Sequence, residues 1–228
     1  MNSALLSELF VRPVSVCVAD PQTTSAPLFA EERAFVATAV ARRRAQFGLG
    51  RTCARAALAR LGGPDGPIPA GPDRAPVWPK GYVGSISHCD DFCCAVVAQC
   101  DDAVSVGVDV ERGGELAQAA AHLVLRPEEM ERASALTAVS ALAWAKVAFS
   151  AKEAFYKCYY PLTRARLEFH DVSLGFSAHG DFAIRLAKRD KPLARSDHLF
   201  EGRWRLDNGR VYAGVTAPAD RFSGRGAD

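Results

Sequence analysis

Val106-Gly107-Val108-Asp109-Val110-Glu111 alternates as a strand does: the three valines point one way, and Gly107, Asp109 and Glu111 the other. Two carboxylates two residues apart on a strand share a face, with Cα atoms roughly 6–7 Å apart. Unpaired carboxylates on an apolar strand are costly unless something positive lies between them. A hard divalent cation such as Mg²⁺, which takes oxygen ligands and shares them with substrate phosphates, is one candidate. A strand edge running into a solvated turn at Arg112-Gly113-Gly114 is the other reading of the same residues.

Working outward from this strand, the 228 residues are enough for one large domain or two small ones. The composition, 49% hydrophobic and 24% charged, is that of an ordinary globular protein. With 28 basic and 26 acidic residues the net charge is +2, so no global basic field argues for nucleic acid. No apolar run is long enough for a transmembrane helix, and the segment MNSALLSELFVRP lacks the basic start and apolar stretch of a signal peptide. A cytoplasmic location is the expectation. The seven cysteines follow no disulfide spacing. His88, Cys89, Cys93 and Cys94 raise zinc, but FCCAVVA reads as a buried strand with Cys93 and Cys94 on opposite faces, and no second Cys/His pair has a zinc-finger spacing.

Upstream, residues 13–19 read as a first strand and 20–27 as loop. Residues 31–61 have a helical pattern that Gly48 and Gly50 are expected to break or kink. This helix carries Arg42, Arg43, Arg44, Arg51, Arg55 and Arg60, either a solvated face or a phosphate site. Arg44 and Arg51, seven apart, share a face if the helix runs through the glycines. Residues 62–81, rich in Pro and Gly, read as an arm over a site, with Trp78 arguing against a free linker. Residues 82–88 and 92–98 read as strands, and with the VGVDVE strand they suggest an antiparallel meander.

Downstream, Arg126-Pro127-Glu128-Glu129 looks like a helix start. A second long helix is expected over 140–160, stopped by Pro161. Trp144, Val147, Ala148, Ala151, Phe155, Cys158 and Tyr159 form its apolar stripe; Lys146, Ser150, Glu153 and Lys157 form a polar stripe facing a cleft or solvent. Residues 172–176, 182–186, 203–206 and 211–216 read as strands, and the last ten residues as a frayed end. The fold class is α+β. The halves, 1–105 and 106–228, share a coarse order of long helix then strands without a clear sequence repeat.

Three segments in order carry the most specific signal: SISH (85–88), VGVDVE, and FSAKEAFYK (149–157). This order resembles the 4′-phosphopantetheinyl transferase superfamily, in the branch of the surfactin- and enterobactin-synthetase activators. Members show an SHC- or SHS-like segment, a G-[IV]-D-[IV]-E strand and a W…KE…K helix. Here these are Ser87-His88-Cys89, Gly107 to Glu111, and Trp144 with Lys152, Glu153 and Lys157. RRRAQFGLGRTCARAAL and RAPVWPKGYVGSISHC look like the enterobactin-synthetase component D subgroup.

The resemblance implies two α+β halves related by a pseudo-twofold axis, the first holding the 3′-phosphate of coenzyme A and the second Mg²⁺ and the catalytic helix. It implies a monomer that moves the phosphopantetheine arm of coenzyme A to a serine of an apo acyl or peptidyl carrier protein, without nucleic acid or membrane partners. Asp109, Glu111 and Glu153 are the implied Mg²⁺ ligands. Glu153 is also the implied base, directly or through a water, and Lys157 the diphosphate-binding amine. Lys152, about 100° away on the helix, has a supporting role. Arg51, His88 and Arg43 or Arg44 are implied around the 3′-phosphate, with Ser87 and Arg74 also in the coenzyme site; Arg74 stands where relatives often carry lysine. A metal-dependent phosphohydrolase and an RNA-binding module built on the arginine helix are the competing readings.

Overall fold

The computed structural model describes residues 3–20, 22–135, 140–177, 179–188, 191–193 and 200–222. Among them, helix α1 (Ser3–Ser7) and strand β1 (Ser15–Ala19) precede helices α2 (Ala30–Phe35) and α3 (Ala41–Arg60). Strands β2 (Tyr82–Cys89), β3 (Phe92–Gln99) and β4 (Ala103–Arg112) follow, then helices α4 (Gln118–Val124), α5 (Pro127–Ala135) and α6 (Ala141–Thr163). Strands β5 (Val172–Phe176), β6 (Asp181–Leu186), β7 (Glu201–Asp207) and β8 (Arg210–Pro218) complete the order. The mixed α+β class holds, with two antiparallel sheets: β1-β3-β2 and β4-β8-β7-β6-β5.

The expected meander stops at β3. Strands β2 and β3 form a hairpin, but β4 leaves it and pairs with β8, setting Asp109 opposite Ala213 and Glu111 opposite Val211. The edge of β3 that β4 would have taken is occupied by β1. Only long-range pairing decides this, which local patterning does not encode.

Three apolar cores result. Helix α3 covers one face of the three-stranded sheet with Cys53, Ala54, Ala57 and Leu58 against Cys93, Ala95 and Val97. The other face of β3, with Cys94, Val96 and Ala98, packs against Val106, Val108 and Val110 of β4 and against Leu6 and Leu9 at the start of the chain. Helix α6 covers the five-stranded sheet through Ala151, Ala154, Phe155, Cys158 and Tyr159. Cys93 and Cys94 thus fall on opposite faces, as the alternation requires.

Strand β2 contributes alternate faces as well. Ile86 joins the core under α3, while Ser85 and Ser87 turn toward β4. Their hydroxyls accept the N–H groups of Val108 at 3.1 Å and Val110 at 3.2 Å. These two bonds stitch the two sheets together where no backbone ladder runs, and they satisfy buried donors that would otherwise be costly.

The long helices depart from expectation at their breaks. Helix α3 runs unbroken through Gly48 and Gly50; the interruption lies earlier, between Phe35 and Ala41. Gly50 serves close approach, for a Cβ there would stand 3.0 Å from the Ile86 side chain. Helix α6 does not stop at Pro161 but carries it in its last turn, ending at Arg164 in the left-handed region with φ 55°. Of the expected frayed end, Ala219–Arg221 form a 3₁₀ turn, and residues 223–228 lie outside the described residues.

Gly107 sets how near α6 can come. A Cβ there would stand 1.9 Å from the carbonyl oxygen of Ala154 and 2.7 Å from the nitrogen of Cys158. Backbone cannot yield as a side chain can. Gly107→Ala is expected to cost about 3 kcal/mol or more, read as a lower urea midpoint.

Candidate active site

The contact of α6 with β4 creates the centre of the site. Glu153 and Lys157 lie one turn apart on α6, and Asp109 stands beneath them on β4, 4% exposed. The Lys157 ammonium donates to Asp109 Oδ1 at 2.7 Å, to Ser87 Oγ at 3.1 Å and to the Val108 carbonyl at 3.2 Å. Ser87 Oγ in turn donates to Asp109 Oδ1 at 3.0 Å. Asp109 Oδ2 is buried and has no hydrogen-bond partner.

Burial pushes the Glu153 carboxyl above the ordinary range; Lys157 opposes this and Asp109 adds to it. Burial and Asp109 likewise raise Glu111, against Lys146 and Lys157. Burial pulls the Lys157 ammonium down, but Asp109 and Glu153 outweigh it and its pKa is net raised. Glu111 and Glu153 therefore each feel Asp109, and Lys157 is the counter-charge near both. Glu111 lies on the far side of Asp109, with an ion pair to Lys146 at 3.6 Å.

As a metal site this is a donor set rather than a finished cage. The three carboxylates of the expected set offer hard oxygens, and Asp109 Oδ2 is a buried acceptor without a donor, which suits a divalent cation. Yet among the described residues no group of three or more His, Cys, Asp or Glu side chains is gathered closely enough to hold a metal ion. The same holds for His88, Cys89, Cys93 and Cys94, and these cysteines are free.

Glu153 and Lys157 face a cavity of about 630 Å³, walled also by Arg74, Trp78, Tyr156 and Tyr160. The arm over 62–81 forms one wall, as expected of an ordered segment. Trp78 is seated on Gly84, whose missing Cβ would lie 2.6 Å from the indole, and Asp73 bonds Arg164 at 2.7 Å across the opening. Arg74 takes a left-handed backbone, φ 69°, next to this bridge.

The implied 3′-phosphate residues separate into two groups. Arg43 lies 3.3 Å from His88 Nε2. Burial lowers the His88 pKa, with Arg43 and Lys157 adding to the effect. Arg51 is 5% exposed, donates to the Ile68 carbonyl at 2.6 Å and lies over the Phe47 ring. Burial draws its guanidinium down to about 10, and Arg43 contributes to that shift too. Arg43 thus bears on both Arg51 and His88, while Glu32 opposes the shift at Arg51 and Asp109 that at His88. Arg44 does not join them: it is exposed and bonds the Ala39 carbonyl at 2.6 Å.

Other expectations change in detail. Ser87 and His88, neighbours on a strand, point to opposite faces, so Ser87 addresses Asp109 and not the arginines. Ser150 of the polar stripe is fully buried. Lys152 is a structural strut. It is 2% exposed, paired with Glu129 at 2.7 Å and bonded to the carbonyls of Val124 at 2.8 Å and Phe169 at 3.0 Å. The sequence reading missed Ser85 and Asp91. Asp91 accepts from Arg210 at 2.6 Å and meets Arg112 at 3.5 Å, tying the β2–β3 turn to the other sheet. The alternation in SISH was the available signal for the serines; nothing local marks Asp91.

The arginine helix is not a continuous basic face. Besides buried Arg51, Arg55 pairs with Glu32 at 2.8 Å, Arg60 bonds the Val16 carbonyl at 2.5 Å, and Arg42 pairs with Asp90.

Two family models match parts of the chain: the 4′-phosphopantetheinyl transferase N-terminal domain over residues 31–98, and the 4′-phosphopantetheinyl transferase superfamily over residues 105–210. The chain belongs to the 4′-phosphopantetheinyl transferase superfamily. Among its relatives, 4′-phosphopantetheinyl transferase Svp of Streptomyces mobaraensis is 41% identical over 84% of this chain and 79% of its own length. 4′-Phosphopantetheinyl transferase PptT of Mycobacterium tuberculosis is 36% identical over 81% and 84%. Enterobactin synthase component D of Salmonella typhi is 36% identical over about half of each chain, 52% and 49%. The superfamily membership read from three motifs is therefore borne out.

The raised carboxyl of this transferase-family site has a stability consequence. A Glu153 whose folded pKa lies above its unfolded value favours the folded state below the unfolded pKa and loses that contribution as pH rises through the folded one. Glu153→Gln mimics the protonated form. It is expected to melt at a higher temperature than wild type at pH 7, with the difference closing as pH falls below the ordinary glutamate range.

Proposed function

We propose that this enzyme transfers the 4′-phosphopantetheine moiety of coenzyme A to a serine of an apo acyl or peptidyl carrier protein, releasing adenosine 3′,5′-bisphosphate. The observation that carries the chemistry is the Asp109–Lys157 pair beside Glu153, opening on a cavity of about 630 Å³, within the size range of small-molecule sites. Family membership, together with relatives named as 4′-phosphopantetheinyl transferases over four fifths of the chain, supports the same reading.

In this reading Arg43, Arg51 and His88 hold the 3′-phosphate, where guanidinium forks suit phosphate oxygens. Arg74 stands at the cavity wall near the rest of the coenzyme. Glu153 accepts the proton of the carrier serine, directly or through a water; its raised pKa brings it nearer to the serviceable range for a base. Lys157 supplies positive charge beside the diphosphate. Asp109, Glu111 and Glu153 would hold Mg²⁺, which when bound neutralises charge building on the diphosphate oxygens.

The finer architectural points belong to the same proposal. Each sheet is flanked by one long helix, α3 or α6, which supports a pseudo-twofold pair of halves, 1–105 and 106–228. A monomer acting in the cytoplasm fits; among the described residues no helix is long and apolar enough to cross a membrane. The many internal partners of the α3 arginines weigh against RNA.

The test is incubation with coenzyme A, Mg²⁺ and an apo carrier protein. A carrier mass gain of one phosphopantetheine unit is expected; hydrolysis of coenzyme A without transfer would point to a phosphohydrolase. Asp109→Ala is expected to abolish transfer, and full activity in that variant would overturn the ligand set. Arg51→Ala is expected to raise the KM for coenzyme A about tenfold or more, but not that for 3′-dephospho-coenzyme A.

A further inference from the structure

Ser87 has one hydroxyl proton and two acceptor lone pairs, and all three are engaged inside the protein. The proton goes to Asp109 Oδ1 at 3.0 Å, and the lone pairs accept Val110 N–H at 3.2 Å and Lys157 Nζ at 3.1 Å. Ser87 is itself 4% exposed. No capacity remains for a phosphate oxygen, and the side chain leaves β2 on the face opposite to His88. Membership in the SISH segment therefore does not make Ser87 a ligand of coenzyme A.

The same bonds determine the orientation of Asp109. Oδ1 receives Ser87 Oγ and Lys157 Nζ together, while Oδ2 receives nothing. A carboxylate held by one oxygen through two donors on two different elements cannot rotate freely about its terminal torsion. Its second oxygen is directed to a fixed place.

We propose that Ser87 is a positioning residue for a divalent cation: with Lys157 it engages Asp109 Oδ1, so that Oδ2 is the oxygen presented to the metal. The inference rests on the reading of Asp109 as a metal ligand, and adds to it which atom coordinates and what orients it. Partners that hold a ligand's second polar atom commonly change metal affinity by 10–100-fold when removed.

Ser85 supplies the control, because its hydroxyl bridges the same two strands by accepting Val108 N–H at 3.1 Å, with no hydrogen bond to Asp109. Mn²⁺ serves as the probe, bound to the full chain without coenzyme A and followed by the loss of the free-ion electron paramagnetic resonance signal. Ser87→Ala is expected to raise the Mn²⁺ Kd by about 10-fold or more. Ser85→Ala, which removes an equivalent strand bridge, is expected to leave it within about twofold. Ser87→Cys, close in size and a poor donor, should move in the same direction as Ser87→Ala and serves if the alanine variant does not fold. The ratio of KM values for coenzyme A and 3′-dephospho-coenzyme A should not change in the Ser87 variants.

Wild-type Mn²⁺ affinity in both Ser87 variants overturns the positioning role while leaving the metal reading intact. Equal weakening by Ser85→Ala and Ser87→Ala also overturns it, since strand bridging alone would then account for the effect. A changed KM ratio with unchanged Mn²⁺ affinity would return Ser87 to the coenzyme site. Absence of Mn²⁺ binding in the wild type would remove the metal reading and this inference with it.

Discussion

An ammonium and a carboxylate meet at the seam between helix α6 and strand β4, and the rest of the molecule is arranged so that they can. The 2.7 Å contact of Lys157 with Asp109 exists because Gly107 lets the helix backbone settle directly on the strand. Neither charge would tolerate burial alone. Removing a carboxylate from water costs several kcal/mol unless it is paired and hydrogen-bonded. Asp109 satisfies that condition at one oxygen only. Stability alone would favour a partner for the second oxygen as well, and Oδ2 has none.

The seam depends on both halves of the chain. Val106, Val108 and Val110 are anchored in the core between the two sheets, which fixes the opposite face of β4 toward α6. Ser85 and Ser87 reach across from the first sheet to the backbone of β4, and Asp91 is gripped by Arg112 and Arg210 from the second. Lys152 and Glu129 hold α6 from its other side, buried and with further hydrogen bonds to each. Arg43 and Arg51 on α3 and His88 on β2 thus belong with the three-stranded sheet, and Asp109 and Glu111 on β4 and Glu153 on α6 with the five-stranded one.

Much of this was legible in the chain itself. The alternation in VGVDVE gave the buried valine face and the carboxylate face correctly, because one side of a strand must be apolar to fold. FCCAVVA gave a strand buried on both faces. The strand positions in the second half and the two long helices followed from period and breaker residues. The misreadings have a common cause. Gly48 and Gly50 read as a break or kink, and Pro161 as a stop, because propensity weighs these residues as isolated breakers. In the fold, Gly50 serves the approach of Ile86, and a proline in the last turn forfeits only one bond at the fraying end of a helix already held by packing. Ser87 was grouped with His88 by adjacency, although alternation along β2 already separates them.

What the sequence determined by itself is the chemistry available: an α+β chain, two carboxylates on one strand face, an acid and an amine one helical turn apart, and three motifs in an order specific enough to place the family. Those are properties of short segments, set by local period and residue type. Tertiary structure alone decided that β4 pairs with β8 and not β3, that Lys152 is a strut while Lys157 is the counter-charge, that Arg44 stands apart from Arg43 and Arg51, and that Ser87 faces Asp109. Apart from Arg44, whose bond is to nearby Ala39, each of these rests on contacts between residues tens of positions apart. Such contacts are selected by the burial of whole faces and the pairing of buried charges, and no window of sequence contains both partners.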